Sequence, residues 1–194
     1  MQVQQQTDEE LIAEVLNGNV AVYSELVKRH QRFVFTLGIR FAKNREDAEE
    51  IAQDCFVKAY RALGSYKQSA KFTTWLYSIT YTTAMSFLRK KRMDIVSIDD
   101  YETGLRLESH VSDLQANHVE QQSAHAYLNQ AINTLSAEDS AIITLFYKGE
   151  LSQEEIGQML GLTANAVKVK LHRARIKLKD KLALLLKDEV KELI

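Results

Sequence analysis

Residues 151–178 read LSQEEIGQMLGLTANAVKVKLHRARIKL, and the fold is decided there. Ser152 followed by Glu155 has the spacing of a capping box, so a helix opens at once. Gly161 ends that helix after about two turns, and Thr163 is placed to cap a second, longer one. A short capped helix, a tight turn and a longer helix make a helix-turn-helix unit. In the second helix Val167, Leu171, Ala174 and Leu178 recur at helical spacing and form one apolar stripe, which should pack inward. The opposite face holds Asn165, Val169, His172 and Arg173. Lys168, Lys170, Arg175, Lys177 and Lys179 lie along its two flanks. That arrangement suits a helix seated in a DNA major groove. Flanking cations reach phosphates on both walls, and central side chains face base edges. Asn165 can read adenine, Arg173 guanine, and Val169 can touch a thymine methyl.

The rest of the chain agrees with a helical reading. Its 194 residues contain no proline and only seven glycines. A chain of ordinary composition would hold roughly ten prolines. Sheet-rich domains draw heavily on both residues for turns. Thr7 and Glu10 form another capping box and open a helix that stops at Asn17-Gly18. A second helix starts near Val20 and ends near Asn44. A third runs from about Arg45 to Leu63, with an acidic start suited to the positive end of the helix dipole. A fourth runs from about Phe72 to Arg92. A helix over about 123–134 and one from Ser136 to Lys148-Gly149 precede the helix-turn-helix. Residues 93–122 lose periodicity and are polar and acidic, the pattern of a flexible linker. The chain therefore divides into a helical domain over 1–92, a linker over 93–122 and a helix-turn-helix domain over 123–194. The fold class is all-α.

The net charge of −1 conceals a segregation. Residues 58–92 carry eight Lys or Arg and no Asp or Glu, and residues 163–181 carry seven against one. Clustered positive charge is the footprint of a polyanionic partner whatever the total. The first basic block also contains Tyr60, Tyr66, Phe72, Trp75, Tyr77, Tyr81 and Phe87. Cations interleaved with aromatics suit unpaired nucleic acid, since cations follow the backbone and rings stack on bases. The loop Lys67–Thr73 and the cluster Arg89-Lys90-Lys91-Arg92 are the contact candidates in that block.

Other chemistry finds little support. There is no Gly-rich phosphate loop and no nucleophile elbow, so an enzyme is not expected. The lone Cys55 falls on an inward stripe and reads as a small core residue. His110, His118 and His125 are spaced at eight and seven but fall in or next to the linker, so no metal or other cofactor is expected. No apolar run reaches the length of a membrane span, and the polar, acidic N-terminus is unlike a signal peptide, so a cytoplasmic protein without membrane insertion is expected. The apolar tail Leu182, Leu184, Leu185, Leu186, Val190, Leu193 and Ile194 packs on its own domain or meets a partner.

Three motifs in order complete the reading: DAEEIAQDCFVKAYRAL (47–63), KFTTWLYSI (71–79) and LSQEEIGQMLGLTANAVKVKLHRARIKLK (151–179). In this order they resemble a bacterial RNA polymerase sigma factor of the extracytoplasmic-function (ECF) type. The resemblance covers about residues 8–92 and 127–182. It implies a transcription initiation factor whose first domain binds core polymerase and the −10 promoter element and whose second reads the −35 element. It places Asp47, Glu50, Gln53, Asp54 and Phe56 at the polymerase clamp. It places Lys67, Lys71, Phe72, Thr73, Trp75, Tyr77, Tyr81, Thr82, Arg89, Lys90, Lys91 and Arg92 at the −10 element, with a flipped non-template base held by the loop. It places Thr163, Asn165, Lys168, Val169, Lys170, His172, Arg173 and Arg175 at the −35 element. It also implies an anti-sigma factor as a partner. The chain departs from the family pattern at Thr82, where Asn is usual, at Ser86, where Asp is common, at Leu135-Ser136, where Leu-Pro is frequent, and at Val169-Lys170, where Ser-Arg is usual. The alternative is a stand-alone helix-turn-helix regulator that does not bind polymerase.

Overall fold

The computed structural model describes residues 6–99 and 121–192, the side chains of 94–99, 121–124 and 187–192 excepted. Among them all regular structure is helical, with no strand. The helices fall into two compact units, α1–α4 and α5–α8.

In the first unit, α1 (Asp8–Leu16) opens on the capping box read from sequence. The Thr7 side chain accepts from the Glu10 N–H, and the Glu10 carboxylate accepts from the Thr7 N–H. Gly18, at φ 100°, turns the chain into a short 3-10 turn over Val20–Val22. Helix α2 (Tyr23–Ala42) begins directly after it, and Lys43 ends α2 in the left-handed region. Asn44 then caps α3 (Arg45–Ala62) by accepting from the Asp47 N–H at 2.9 Å. Another 3-10 turn over Leu63–Ser65 and an open loop lead to α4 (Phe72–Asp99).

Helices α2, α3 and α4 pack on one another as a three-helix bundle, and α1 lies against α2 and the Leu63–Ser65 turn. The core is built from Leu11, Ile12, Leu26, Leu37, Ile51, Leu63 and Leu76, all essentially without exposure. Gly38 of α2 lets the backbone of α3 approach, since a Cβ there would sit 3.2 Å from the Ala48 carbonyl.

Helix α4 runs to Asp99, seven residues past the end expected at Arg92. Helix α5 (Gln121–Asn133) starts two residues before the expected 123. Both ends of the stretch read as linker are thus helical. Propagating a formed helix needs only residues that do not break it, and 93–99 contain neither Gly nor Pro. The remainder of the linker, with His110 and His118, lies outside the described residues.

In the second unit α5, α6 (Ala137–Tyr147) and α7 (Gln153–Leu160) all pack on α8 (Ala164–Glu192). Ser136 caps α6 by accepting from the Asp139 N–H, and Ser152 with Glu155 forms the expected capping box on α7. Gly161 ends α7 at φ 67°, the left-handed cap that glycine adopts without penalty. The Thr163 hydroxyl accepts from the Ala166 N–H at the start of α8. Val167, Leu171 and Ala174 of α8 are fully buried, as are Ile142, Leu145 and Ile156, in this unit's core.

Candidate nucleic-acid interface

The helix-turn-helix geometry rests on one close approach. A Cβ on Gly157 would sit 2.6 Å from the Leu162 carbonyl oxygen. The Leu162 N–H in turn donates to the Gly157 carbonyl at 2.8 Å. Only glycine lets the turn fold back so tightly onto α7. With Val167, Leu171 and Ala174 facing in, α8 presents Asn165, Val169, His172 and Arg173 outward, all exposed. Val169 is 41% exposed, so an apolar side chain stands on the outer face. Ile176, one turn beyond His172, is exposed on the same face and was missed in the sequence reading. Its spacing of seven from Val169 was the available signal.

The flanking cations divide into two kinds. On the flanks Lys168 and Lys179 are exposed, as Arg173 is on the central outer face. Lys170 pairs with Glu138 of α6 at 2.8 Å. Lys177 pairs with Asp139 at 2.6 Å. The Arg175 guanidinium lies over the rings of Phe146 and Tyr147, 5.4 and 5.3 Å from their centroids. Lys170 and Arg175, both expected at the −35 element, are therefore engaged by α6. Sequence periodicity cannot show this, because the partners lie about 30 residues away.

In the first unit the aromatic candidates also divide. Phe72 is 3% exposed and Tyr77 is 5% exposed. Tyr77 stacks on Phe33 of α2, with centroids 4.1 Å apart. Burial pushes the Tyr77 hydroxyl pKa up to about 12. Both residues lie in the core of the bundle. A ring already stacked inside the bundle has no face left for a base. The cause is that Leu76 and Tyr77, like Thr83 and Ala84, all turn inward, so the buried face of α4 is broader than a single stripe.

Trp75 is half-buried and remains at the surface. It forms a cluster with Tyr66 and Phe72, with centroid separations of 5.4 to 5.7 Å. The Tyr66 hydroxyl donates to the Ala70 carbonyl at 2.8 Å and closes the loop between them. Gln68 sits at φ 55° within that loop. Lys67 and Lys71 are exposed on it, and Thr73 is half-buried at its end. Further along α4, Tyr81 is half-buried with its ring edge-on to Phe41. Thr82 is exposed, and its hydroxyl donates back to the Ser78 and Ile79 carbonyls. Arg89, Lys90, Lys91 and Arg92 are exposed farther along the helix. The place of Tyr66 beside Trp75 depends on the loop closing around it, which local sequence does not encode.

The five α3 candidates fall on two faces. Gln53 and Phe56 line a shallow groove of about 450 Å³ between α2 and α3, together with Gln31, Arg32, Phe35 and Glu49. Asp47, Glu50 and Asp54 stand on the other flank. Glu50 and Asp54 are exposed, and the Asp47 carboxylate accepts from Lys91 and Asn44. Burial works to raise the Asp47 pKa, but these hydrogen bonds outweigh it and hold the carboxyl below its usual range. The α2 residues of the groove were missed from sequence. Phe35, one position off the buried stripe, was the available signal.

Cys55 is buried against Thr80, and burial pushes its thiol up to about 11. Among the described residues no group of three His, Cys, Asp or Glu side chains is arranged to hold a metal. None of the described helices is long and apolar enough to cross a membrane.

Comparison with known proteins matches this organisation. Sigma-70 region 2 matches residues 26–93, and Sigma-70 region 4 matches residues 125–178. The chain is 30% identical to the ECF RNA polymerase sigma factor SigW of Bacillus subtilis (strain 168), covering 88% of this chain and 94% of that protein. It is 29% identical to the ECF RNA polymerase sigma-E factor of Haemophilus influenzae, covering 92% and 97%. Among solved structures, its fold is similar to that of CnrH in complex with the cytosolic domain of CnrY, with a TM-score of 0.61, 24% identity and coverage of 94% and 99%. It is also similar to the sigma factor RpoE in complex with the anti-sigma factor NepR from Bartonella quintana, with a TM-score of 0.64, 20% identity and coverage of 83% and 96%. The two matched regions coincide with the aromatic-basic bundle and the helix-turn-helix, and the chain belongs to the ECF RNA polymerase sigma factors.

Proposed function

We propose that this chain is a cytoplasmic transcription initiation factor that binds core RNA polymerase, recognises the −35 and −10 promoter elements and helps melt promoter DNA, with no chemistry of its own. The polymerase-binding and −10 functions belong to residues 1–92, the −35 function to residues 123–194. The groove residues Gln53 and Phe56, with the acidic flank of Asp47, Glu50 and Asp54, dock on polymerase. Asn165, Val169, His172 and Arg173 face the bases of the −35 duplex, with Thr163 and Lys168 at its phosphates.

The observation that carries the melting function is Trp75. It stands half-buried beside Tyr66, at the end of a loop bearing Lys67 and Lys71. A ring at the surface, backed by other rings and flanked by cations, supplies what an unpaired base needs. Stacking one base on an aromatic side chain contributes about 1–3 kcal/mol. Unstacking and unpairing a base costs a few kcal/mol. One captured base thus offsets much of one opened pair, and phosphate contacts from Arg89, Lys90 and Arg92 add to it. Thr82, exposed on the same helix, is a further polar contact. Two solved relatives in fold are described in complex with CnrY and with the anti-sigma factor NepR. An anti-sigma factor is proposed as a partner here on that basis.

In vitro transcription with core polymerase over a library of genomic fragments tests the reading. Promoter-specific transcripts that depend on this chain are expected. Their absence, with a palindromic footprint formed without polymerase, would identify a stand-alone helix-turn-helix regulator instead.

A further inference from the structure

The aromatic corner at the start of α4 is braced from behind by a polar pair, His30 and Asp8. His30, on α2, is 9% exposed. Its ring lies edge-on to Phe72, with centroids 5.4 Å apart. Its Nε2 is 2.7 Å from Oδ2 of Asp8, in the first turn of α1. The other oxygen of Asp8 accepts from Arg29 at 3.2 Å. Arg29 also donates to the Gln6 carbonyl and to Glu25. The hydrogen bond from His30, aided by Arg29, holds the Asp8 carboxyl below the usual carboxylate range. Asp8 is therefore ionised at neutral pH and can only accept. The proton on this bond belongs to His30 Nε2, which fixes the ring's orientation. Phe72, held by that ring, contacts both Tyr66 and Trp75. A continuous set of contacts thus runs from Asp8 through His30 and Phe72 to the two rings that bound the basic loop.

We propose that His30, oriented by Asp8, is a positioning residue for single-strand capture: through Phe72 it sets the placement of Trp75 and Tyr66 around an unpaired base. This rests on the reading of Trp75 as a base-stacking residue. His30 itself contacts no nucleic acid. Rings that must present a face to a base lose affinity when their backing ring is free to shift, as binding groups do when their support is loosened.

The test uses the full chain assembled with core polymerase. The probe is a labelled single-stranded oligonucleotide carrying the non-template −10 sequence of a promoter recovered by transcription. Its affinity is measured beside the affinity of the chain for core and its thermal midpoint. His30→Ala is expected to weaken oligonucleotide binding about fivefold, a partial loss of one stacked base, with core affinity unchanged. His30→Gln keeps a donor near the Nε2 position and is expected to recover part of the loss. Asp8→Asn, which keeps the side chain's size, is expected to give a smaller loss of the same kind. Should His30→Ala unfold, Asp8→Asn carries the test alone. Parallel loss of core and oligonucleotide binding would make the pair merely structural and overturn the proposal. So would unchanged oligonucleotide affinity in these variants when Trp75→Ala weakens it. Unchanged affinity in Trp75→Ala as well would instead overturn the reading of the aromatic corner.

Discussion

Lys91 of α4 and Asp47 of α3 form an ion pair, Nζ to Oδ2 at 2.5 Å, across the face of the first bundle. One partner belongs to the basic cluster proposed to meet DNA and the other to the acidic flank proposed to meet polymerase. Neither charge is fully available while the pair is closed. The Lys91 side chain is 45% exposed, so the pair contributes at most about 1 kcal/mol to stability. Asp47→Ala is expected to leave stability within that range, weaken core binding and steepen the salt dependence of promoter binding as Lys91 is released. A double-mutant cycle with Lys91→Ala checks this. Additive effects of the two changes on promoter affinity would show that the pair does not link the surfaces.

Tyr77 and Trp75 sit two residues apart and should behave oppositely. Tyr77→Ala removes a ring stacked inside the core and is expected to cost about 3–5 kcal/mol in urea unfolding. Trp75→Ala is expected to cost far less stability but to abolish detectable promoter opening, read by permanganate reactivity of unpaired thymines. Normal opening in a stable Trp75→Ala chain would remove Trp75 from the proposed interface.

Glu138 holds Lys170 away from the outer face of α8. Glu138→Gln is expected to free Lys170 for a phosphate. The slope of log affinity against log salt for −35 duplex binding should then steepen by about one unit. Lys168→Ala should shallow it by about the same amount. An unchanged slope in Glu138→Gln would mean that Lys170 stays with its own domain on DNA.

Gly157→Ala pushes a methyl to within 2.6 Å of the Leu162 carbonyl. Backbone must shift to relieve it, at a cost of about 1–3 kcal/mol. The helix-turn-helix unit should unfold at lower urea while the α1–α4 unit is unaffected. Hydrogen exchange resolves the two. Equal protection of α7 and α8 in both forms would contradict the close approach.

Among the described residues three carboxyls have lowered pKa values. Asp8 is held down by its hydrogen bond from His30. Burial pushes Asp47 and Asp139 up, but hydrogen bonds led by those from Lys91 and Lys177 outweigh it. A carboxyl depressed in the folded state stabilises above its unfolded pKa of about 3.9 and loses that contribution as pH falls through the folded value. Urea midpoints should therefore show no loss from these groups down to about pH 5 and fall below about pH 4. Asp139→Asn should flatten part of the fall, and an unaltered profile would exclude its ion pair from the effect.

The sequence by itself determined the helices and their caps, because those signals are local. Thr7 with Glu10, Ser136 with Asp139 and Ser152 with Glu155 each span a single turn, and all three caps form. It determined the inward stripe of α8 for the same reason: Val167, Leu171 and Ala174 share one face of one helix. It also determined the family, through three motifs in order. Only the tertiary structure decided which candidates are free to act. Periodicity places Tyr77 on a helix face but cannot say that Phe33, 44 residues earlier, covers it. Charge counting gives Lys91, Lys170 and Arg175 equal weight with Arg173. Packing alone brings Asp47, Glu138 and the Phe146–Tyr147 rings against the first three. Ion pairs and ring contacts form between side chains on different helices, and their partners are set by how the helices cross, which helical spacing does not encode.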